Sequence, residues 1–485
     1  MKHYFADYFE VSQSKLRKHG AFNISLLTDL PLFIDPFLLF NSQRRQYRQL
    51  HDEIIKYLRF LRDKSVGQRV LPGLLRSWFF FSEVKENWLG FSRSGNVGRG
   101  LGENFAGALH DNLRIIFSDF GSEKITQGSH LEKLCLVREG VGRDMISDFT
   151  TNLIKDFLLR YTEEFTKKHI ARGFKRRIRV RRARFKYQTE AWEERTYTLP
   201  IANGKYVILT PRSLLTKDDT WINRHDLIAD FADIPSAIPD SQLRAEIDNY
   251  FKSILARKHK KEDEEKAKAK VYLKFPQLID YYIKYKEAHG DEAKITSADR
   301  VQRSDQLYVR QFGQLAEMLD ANTEFYKVNG TSEEEVRQRL VFLKDVIENK
   351  GGHRIFYLEG KPISNEEDLH ILYRLTWFGS ASTVTREAND GRGPVDFKVS
   401  RDASDITIVE MKLASNSQLK RNLERQTAIY KKASNAKGVF KVILFFTEAE
   451  EKRLAKIIKD LHMQNDCRIV TIDARKDNKP SGSRA

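Results

Sequence analysis

Three polar side chains that could act together on a phosphodiester lie at the ends of two consecutive apolar segments. Asp396 follows a Gly-Arg-Gly-Pro turn, and Glu410 and Lys412 close the apolar segment 405–413. Side chains two residues apart on a strand project to the same side, so Glu410 and Lys412 project together. The short polar turn 400–404 makes the two strands neighbours, with facing Cβ atoms about 5 Å apart. Both carboxylates can therefore reach one ion.

Two carboxylates and one ammonium group are suited to metal-dependent hydrolysis. Hard oxygen ligands with open water positions favour Mg²⁺, with Mn²⁺ as the alternative. Lys412 would orient the attacking water and stabilise the negative charge that develops during the reaction. A Glu-x-Lys triplet is common and carries no weight alone. Here it ends a central strand, follows Asp396 and precedes a helix with Gln426 and Tyr430 on one face, which favours a site over an accidental grouping.

The last 130 or so residues have the clearest pattern of elements. We expect the order α-β-β-β-α-β-α-β, with helices 364–378, 416–433 and 448–461 and strands 382–387, 395–399, 405–413, 440–446 and 468–472. Ser364 and Glu367 form a capping-box signature for the first helix. Bulky residues on both faces of 405–413 predict a central strand. The fold class is therefore α/β (α+β overall), with a mixed C-terminal sheet flanked by helices.

These residues resemble the PD-(D/E)xK superfamily, the restriction-endonuclease-like nucleases. That family has an α-β-β-β-α-β core with an Asp on the second strand and Glu-x-Lys on the third, and Asp396, Glu410 and Lys412 match those positions. Gln426 and Tyr430 match the Gln-x-x-x-Tyr motif of its RecB-like branch, in which the helix lines the active site. The resemblance covers about residues 360 to 475.

The resemblance implies further roles and one departure. An acidic residue on the first helix often joins metal binding in this family, and Glu366 is the candidate, with Glu367 as the alternative. The family's Pro lies at Pro394 and is separated from Asp396 by Val395. Members cut DNA in restriction, repair and anti-phage defence, and many act as homodimers. The chain has no Gly-Lys-Ser/Thr phosphate-binding loop, so any ATPase activity would come from a partner protein.

Composition limits the class of protein. A chain of 485 residues with 40% hydrophobic and 31% charged residues predicts a globular protein of two or three domains. We expect a mixed α/β domain of unassigned role at 1–240, a helical connecting region at 241–350 and the nuclease domain at 351–485, and target recognition, assembly or regulation are the candidate roles of the first two. Two cysteines and the absence of an apolar signal core favour the cytoplasm and no membrane association.

Cationic residues indicate a polyanionic partner. The net charge is +17, and nine of the fifteen residues 172–186 are Lys or Arg. Arg177, Arg179 and Arg181 alternate with apolar residues, which predicts a strand with one cationic face for phosphate contacts. A solvated edge strand is the equal alternative. Further candidate phosphate contacts lie around the predicted site at Arg386, Arg392, Lys420 and Arg421.

A weaker constellation lies upstream. Glu132, Asp144 and Asp148 could form a second metal or nucleotide site. The favoured alternative is that Ser147 or Asp148 caps a helix from Phe149 to Phe165.

Together these features predict a Mg²⁺-dependent DNA endonuclease, with DNA favoured over RNA as substrate. Two alternatives remain open, a non-catalytic nucleic-acid-binding scaffold with a vestigial nuclease fold and a ribonuclease.

Overall fold

The structure is a computed structural model with a mixed α/β fold. It describes residues 3–66, 71–90, 120–121, 123–137, 142–235, 238–255, 260–377, 380, 382–389, 394–402, 404–424 and 436–479, and at 66, 72, 262, 386–389 and 394–395 it describes the backbone alone. Its main hydrophobic core is a single cluster that extends from Tyr4 to Ala474. The N-terminal, middle and C-terminal regions therefore share one core.

The N-terminal region combines helices with a long two-stranded ribbon. Its helices are α1 (Phe5–Tyr8), α2 (Gln13–His19), α3 (Pro36–Phe40), α4 (Arg45–Val66), α5 (Pro72–Phe79), α6 (Lys133–Val137), α7 (Arg143–Leu153), α8 (Lys155–His169) and α9 (Arg224–Ala229). Its strands are β1 (Phe33–Ile34), β2 (Lys175–Lys186), β3 (Ala191–Ala202), β4 (Lys205–Tyr206) and β5 (Leu215–Thr216). The sheet order β2-β3-β4 leaves β2 at an edge, and β1 pairs with β5.

The middle region is helical, as the sequence predicts. Its helices are α10 (Ser241–Ile254), α11 (Lys261–Lys274), α12 (Gln277–Ala288), α13 (Gly290–Ser304), α14 (Phe312–Asn322) and α15 (Ser332–Asn349). A π-helical segment, Asp305–Gln311, joins α13 to α14. Short 3₁₀ turns occur at Lys85–Asn87, Arg172–Phe174, Arg212–Leu214, Asp230–Ala232, Phe325–Lys327 and Gly352–Phe356.

The C-terminal region contains a mixed five-stranded sheet. A small hairpin, β6 (Tyr357–Leu358) and β7 (Lys361–Pro362), precedes α16 (Glu366–Thr376), and α17 (residues 419–424) and α18 (Glu448–Asp460) follow. The strands are β8 (Thr383–Asn389), β9 (Pro394–Ser400), β10 (Ile406–Leu413), β11 (Gly438–Phe445) and β12 (Ile469–Asp473). The order is β12-β11-β10-β9-β8, with β10, β11 and β12 parallel and β8 and β9 antiparallel to their neighbours.

Helices cover both faces of this sheet because its central strands are apolar on both sides. Every residue of β10 and β11 is buried. Val409 and Met411 pack in the main core with α15 and α16, whereas Ile443 and Phe445 pack with residues of α17 and α18. The predicted mixed sheet flanked by helices is therefore confirmed.

Helix α15 belongs structurally with the sheet, although the sequence pattern placed it in the connecting region. At its N-terminus the Ser332 backbone N–H and hydroxyl both donate to the Asp405 carboxylate at 2.9 Å. One turn further, the buried Glu335 carboxylate accepts hydrogen bonds from Ser380 and Ser382 and pairs with Arg339 and Arg401, each at 3.1 Å. These contacts fix the first turn of α15 to the chain at the ends of β8, β9 and β10.

Two local predictions of helix starts were wrong. The cap of α16 is Asn365, whose side chain accepts from the Glu367 backbone N–H, so the expected capping box at Ser364 does not form. The upstream helix begins at Arg143 after Gly142, and Asp148 lies inside it. A glycine with extended backbone therefore replaced the expected side-chain cap.

A helix that spans a membrane has to be both about 20 residues long and predominantly apolar. No helix among the described residues combines the two properties that a bilayer-crossing segment needs.

The buried Glu335 group generates a stability prediction. Glu335 and Arg339 have side chains 0% and 1% exposed, so Glu335→Ala leaves the Arg339 guanidinium buried without its carboxylate. We expect a loss of about 3–5 kcal/mol in the free energy of unfolding, measured by urea denaturation. The control Glu317→Ala changes an exposed residue on α14, and its effect should stay within about 0.5 kcal/mol. Equal midpoints for the two variants would contradict the prediction.

Candidate active site

The pairing of β9 with β10 brings the two predicted carboxylates together. Phe397 is the register partner of Val409, and the next step of this antiparallel pair places Asp396 opposite Glu410. The Asp396 backbone N–H donates to Oε1 of Glu410 at 3.3 Å, and the Met411 backbone N–H donates to Oδ2 of Asp396 at 2.8 Å. Each carboxylate is thus held by the backbone of the other strand.

Lys412 lies among three carboxylates. Its Nζ atom is 2.9 Å from Oδ2 of Asp396, 3.6 Å from Oε2 of Glu410 and 3.6 Å from Oε2 of Glu366. The Lys412 side chain is only 10% exposed, so these contacts form largely away from bulk water. The ammonium group is therefore positioned by all three acidic residues at once.

Helix α16 supplies Glu366 to the same place. Oε1 of Glu366 accepts from the backbone N–H of Leu413 at 3.2 Å and from Nδ2 of Asn416 at 2.8 Å. Its first-turn carboxylate therefore joins the end of β10 to the chain beyond it. Glu366 was predicted from the resemblance alone, and the structure places it in contact with Lys412.

His370 is a member of the group that the sequence pattern did not reveal to us. Its Nε2 atom lies 3.3 Å from Oδ2 of Asp396 and 3.4 Å from the carbonyl oxygen of Met411. His370 follows Glu366 by four residues on α16, and residues four apart share a helix face. That spacing was a signal in the sequence that could have identified it.

Burial and close charges shift the pKa values of the three strand residues. For Glu410, burial and then the charge of Asp396 raise the pKa to about 8, against the opposing effect of Lys412. For Asp396, burial acts upward, but the hydrogen bonds and charges of His370 and Lys412 outweigh it and hold the pKa well below its ordinary value. For Lys412, burial acts downward, but Asp396, Glu410 and Glu366 raise the pKa.

The donor set fits a hard divalent cation in its chemistry. Asp396, Glu410 and Glu366 bring three carboxylates against one lysine, and the excess of negative charge contributes to the raised pKa of Glu410. A divalent ion would relieve that excess, and oxygen ligands are those that Mg²⁺ prefers. Among the described residues, no group of three or more His, Cys, Asp or Glu side chains is arranged closely enough to hold a metal ion as it stands.

The structure describes no side chain at four other predicted site residues. Gln426, Tyr430 and Arg392 lie outside the described residues, and Arg386 lies on β8 with only its backbone described.

The two cationic candidates on α17 are both exposed. Lys420 forms a 2.9 Å ion pair with Asp460 on α18. Arg421 has no ion pair within the described part of the chain. Among the described residues, Arg421 is therefore the better candidate for a phosphate contact, whereas Lys420 is already engaged.

The predicted cationic strand is confirmed as β2. Arg177, Arg179 and Arg181 are all exposed, and the strand that carries them pairs with β3. Glu194 on β3 lies 2.5 Å from Nε of Arg179 and 3.6 Å from Nε of Arg181. Glu194 therefore offsets part of the positive charge that the spacing of the arginines indicated, while Arg177 has no ion pair in the described ranges.

The raised pKa of Glu410 gives a prediction about stability and pH. Without metal, folded Glu410 keeps its proton up to about pH 8, whereas the unfolded side chain releases it near 4.5. The folded state binds more protons in that window, so its free energy of unfolding falls as pH rises through the window. Glu410→Gln cannot ionise and should lose this part of the slope, gaining on the order of a few kcal/mol over wild type by the upper end.

Urea unfolding in EDTA from about pH 5 to about pH 9 measures this difference. Glu448→Gln, on the exposed first turn of α18, is the matched control and should follow wild type. Parallel curves for wild type and Glu410→Gln would contradict a raised pKa at this position.

Two family models match two separate parts of the chain. A domain of unknown function, DUF8370, matches residues 10–223, and a second one, DUF8371, matches residues 332–448. The second match begins with α15 and includes Glu366, Asp396, Glu410 and Lys412. No curated protein and no solved structure matches the chain. The group around Lys412 thus falls within one matched domain, together with the helix that docks on its sheet.

Proposed function

We propose that the chain is a Mg²⁺-dependent endonuclease that hydrolyses phosphodiester bonds of DNA. The observation that carries this proposal is the convergence of Asp396, Glu410 and Lys412 from two neighbouring strands, with Nζ of Lys412 2.9 Å and 3.6 Å from the two carboxylates. The resemblance to the PD-(D/E)xK superfamily supports it, since the roles expected there fall on residues that this structure brings together. Mn²⁺ is the alternative cation.

In this proposal each side chain has a distinct task. Asp396, Glu410 and Glu366 would hold the cation, and His370 would keep Asp396 in position through their 3.3 Å contact. The ion, when bound, polarises the phosphate and lowers the pKa of a bound water. Lys412 has a raised pKa and stays protonated near neutral pH. It therefore acts as a hydrogen-bond donor that orients water and stabilises charge, and it is not the base that accepts the proton of the water.

Cleavage assays test the proposal directly. Purified full-length chain with Mg²⁺ or Mn²⁺ should nick supercoiled circular DNA, and Asp396→Asn and Lys412→Ala should each slow cleavage by about a hundredfold or more. Matched controls are Asp320→Asn and Lys327→Ala, which change exposed residues outside the site and should cut like wild type.

Parallel reactions with linear DNA, tRNA and total RNA separate the rival functions. Cleavage of RNA without cleavage of DNA would identify RNA as the substrate in place of DNA. A wild type that leaves every polynucleotide intact, or a Lys412→Ala variant at the wild-type rate, would overturn the proposed chemistry. Binding without cutting would favour the non-catalytic scaffold.

We extend the proposal to a role in anti-phage defence, which rests on the resemblance. Cells that express the wild-type chain should reduce phage plaque numbers, and Asp396→Asn should remove the reduction because the cation loses a ligand. The measurement is plating efficiency at matched expression, with Asp320→Asn as the control. Equal plaque counts for wild type and Asp396→Asn would contradict a defence role that depends on cleavage.

A further inference from the structure

A cavity of about 250 Å³ lies beside the turn that connects β2 to β3, far in sequence from the candidate active site. We call it the ribbon cavity. Helices α4 and α8 form its floor, and the ribbon and its connecting turn form its wall. The side chains that matter here are the aromatic residues Tyr57, Phe157, Tyr187 and Trp192 and the cationic residues Arg160 and Arg184. Its volume lies just below the roughly 300 Å³ at which pockets for drug-sized ligands begin.

The aromatic walls are held in place by contacts outside the cavity. Nε1 of Trp192 donates to the carbonyl oxygen of Ser77 at 3.1 Å, and the Arg182 guanidinium lies 4.8 Å from the ring centroid. Nζ of Lys56 lies 4.3 Å from the ring centroid of Tyr187. Both rings are thus fixed without a ligand. Rigid aromatic faces are the usual platforms on which unpaired bases stack.

A local distortion of β2 brings Arg184 to this cavity. The register of β2 against β3 shifts between Val180 and Arg184, and Arg182 has a φ of 49°. After the shift Arg184 is the register partner of Glu193 and lines the cavity, whereas Arg177 and Arg179 before it lie on the exposed face of the ribbon. Arg184 is exposed and forms no ion pair within the described ranges, so its charge is available to an anion.

The two carboxylates that line the cavity are compatible with an anion beside Arg184. Asp156 is already engaged, with Arg160 at 3.0 Å and the Tyr197 hydroxyl at 2.6 Å. Glu53 is exposed at the edge of the cavity, where a carboxylate can accept hydrogen bonds from the amino group of a base. Aromatic faces, the Arg184 charge and the exposed Glu53 carboxylate together match a nucleotide better than a purely apolar ligand.

We propose that the ribbon cavity binds a single unpaired base of a polynucleotide, with Arg184 contacting a phosphate that flanks it. A base in an intact duplex is stacked and cannot enter, so the ligand is single-stranded or has a base turned out of the helix. The proposal deepens the proposed function, on which it rests only for treating the bound polynucleotide as a substrate.

Binding of labelled oligonucleotides tests it apart from cleavage. Fluorescence anisotropy in EDTA, with the full chain carrying Asp396→Asn, compares single-stranded DNA, single-stranded RNA and a blunt-ended two-strand DNA duplex at one salt concentration. Tyr187→Leu removes an aromatic face but keeps apolar volume, and Arg184→Gln removes the free charge. Each should weaken single-strand binding by about fivefold or more, because Tyr187→Leu loses the stacking of one base and Arg184→Gln loses a phosphate contact, while duplex binding changes by less than about twofold.

Matched controls separate the cavity from general effects of charge and aromatic content. Arg17→Gln changes an exposed arginine on α2, and Tyr285→Leu changes a tyrosine that is 52% exposed on α12. Both should bind all three ligands like the parent. Unchanged single-strand binding in Tyr187→Leu and Arg184→Gln would overturn the proposal, as would an equal loss on the blunt-ended duplex. The DNA and RNA arms identify which polymer supplies the base.

A crosslinking measurement on the unsubstituted cavity does not depend on the folding of variants. Ultraviolet light on a complex with single-stranded DNA containing iodouracil should attach the base to peptides that contain Tyr187 or Trp192, as read by mass spectrometry. Crosslinks confined to other peptides would overturn the proposal. A chain that crosslinks here but never cuts would refute the nuclease and leave the cavity assignment intact. A chain that cuts DNA but fails the binding and crosslinking tests would refute the cavity assignment and leave the nuclease intact.

Discussion

The candidate active site depends on one ammonium group placed among three carboxylates where little water reaches. The two strand carboxylates respond in opposite directions: burial and then the charge of Asp396 raise the pKa of Glu410, whereas His370 and Lys412 outweigh burial and lower the pKa of Asp396. Lys441 lies opposite Glu410 on β11, but its Nζ donates to the carbonyl oxygen of Leu423 and forms no ion pair with Glu410 in the described part of the chain. Removing one member of such a buried group leaves the others uncompensated, which is far more costly than losing a surface pair.

The same constraint connects the site to the rest of the molecule through α16. Two residues after Glu366, Asp368 accepts hydrogen bonds from Nζ of Lys217 at 2.9 Å and from the Tyr308 hydroxyl at 2.6 Å. Lys217 belongs to the part of the chain matched by DUF8370, and Tyr308 lies on the π-helical segment. Glu366 and His370 therefore lie on a helix whose first turn is anchored to both the N-terminal and the middle regions. The carboxylates of the site are positioned by the whole chain and not by the sheet alone.

Local periodicity made part of the fold and of the site predictable from the sequence. Strands β9 and β10 and the side on which Glu410 and Lys412 project were accessible because alternation and the two-residue spacing are local properties. The association of α15 with the sheet could not be predicted from the sequence, because an apolar helix face does not reveal which layer it covers. The pairing of Glu194 with Arg179 could not be predicted either, because it requires the register of the two ribbon strands. That register depends on the distortion around Arg182. The first-turn cap of α16 depended on a choice between neighbouring residues, Ser364 and Asn365, that both suit the position.

The distribution of charge suggests how affinity and chemistry divide within the proposed nuclease. A site with excess carboxylate repels a polyanion until a cation is present, so the backbone of the substrate has to be held from elsewhere. On α17, Lys420 is already paired with Asp460. The ribbon keeps unpaired arginines within the described part of the chain, on its exposed face at Arg177 and at the cavity at Arg184. In the proposed nuclease the ribbon would supply most of the salt-dependent affinity for the polynucleotide. The carboxylates at β9 and β10 would then act on a strand that the ribbon already holds.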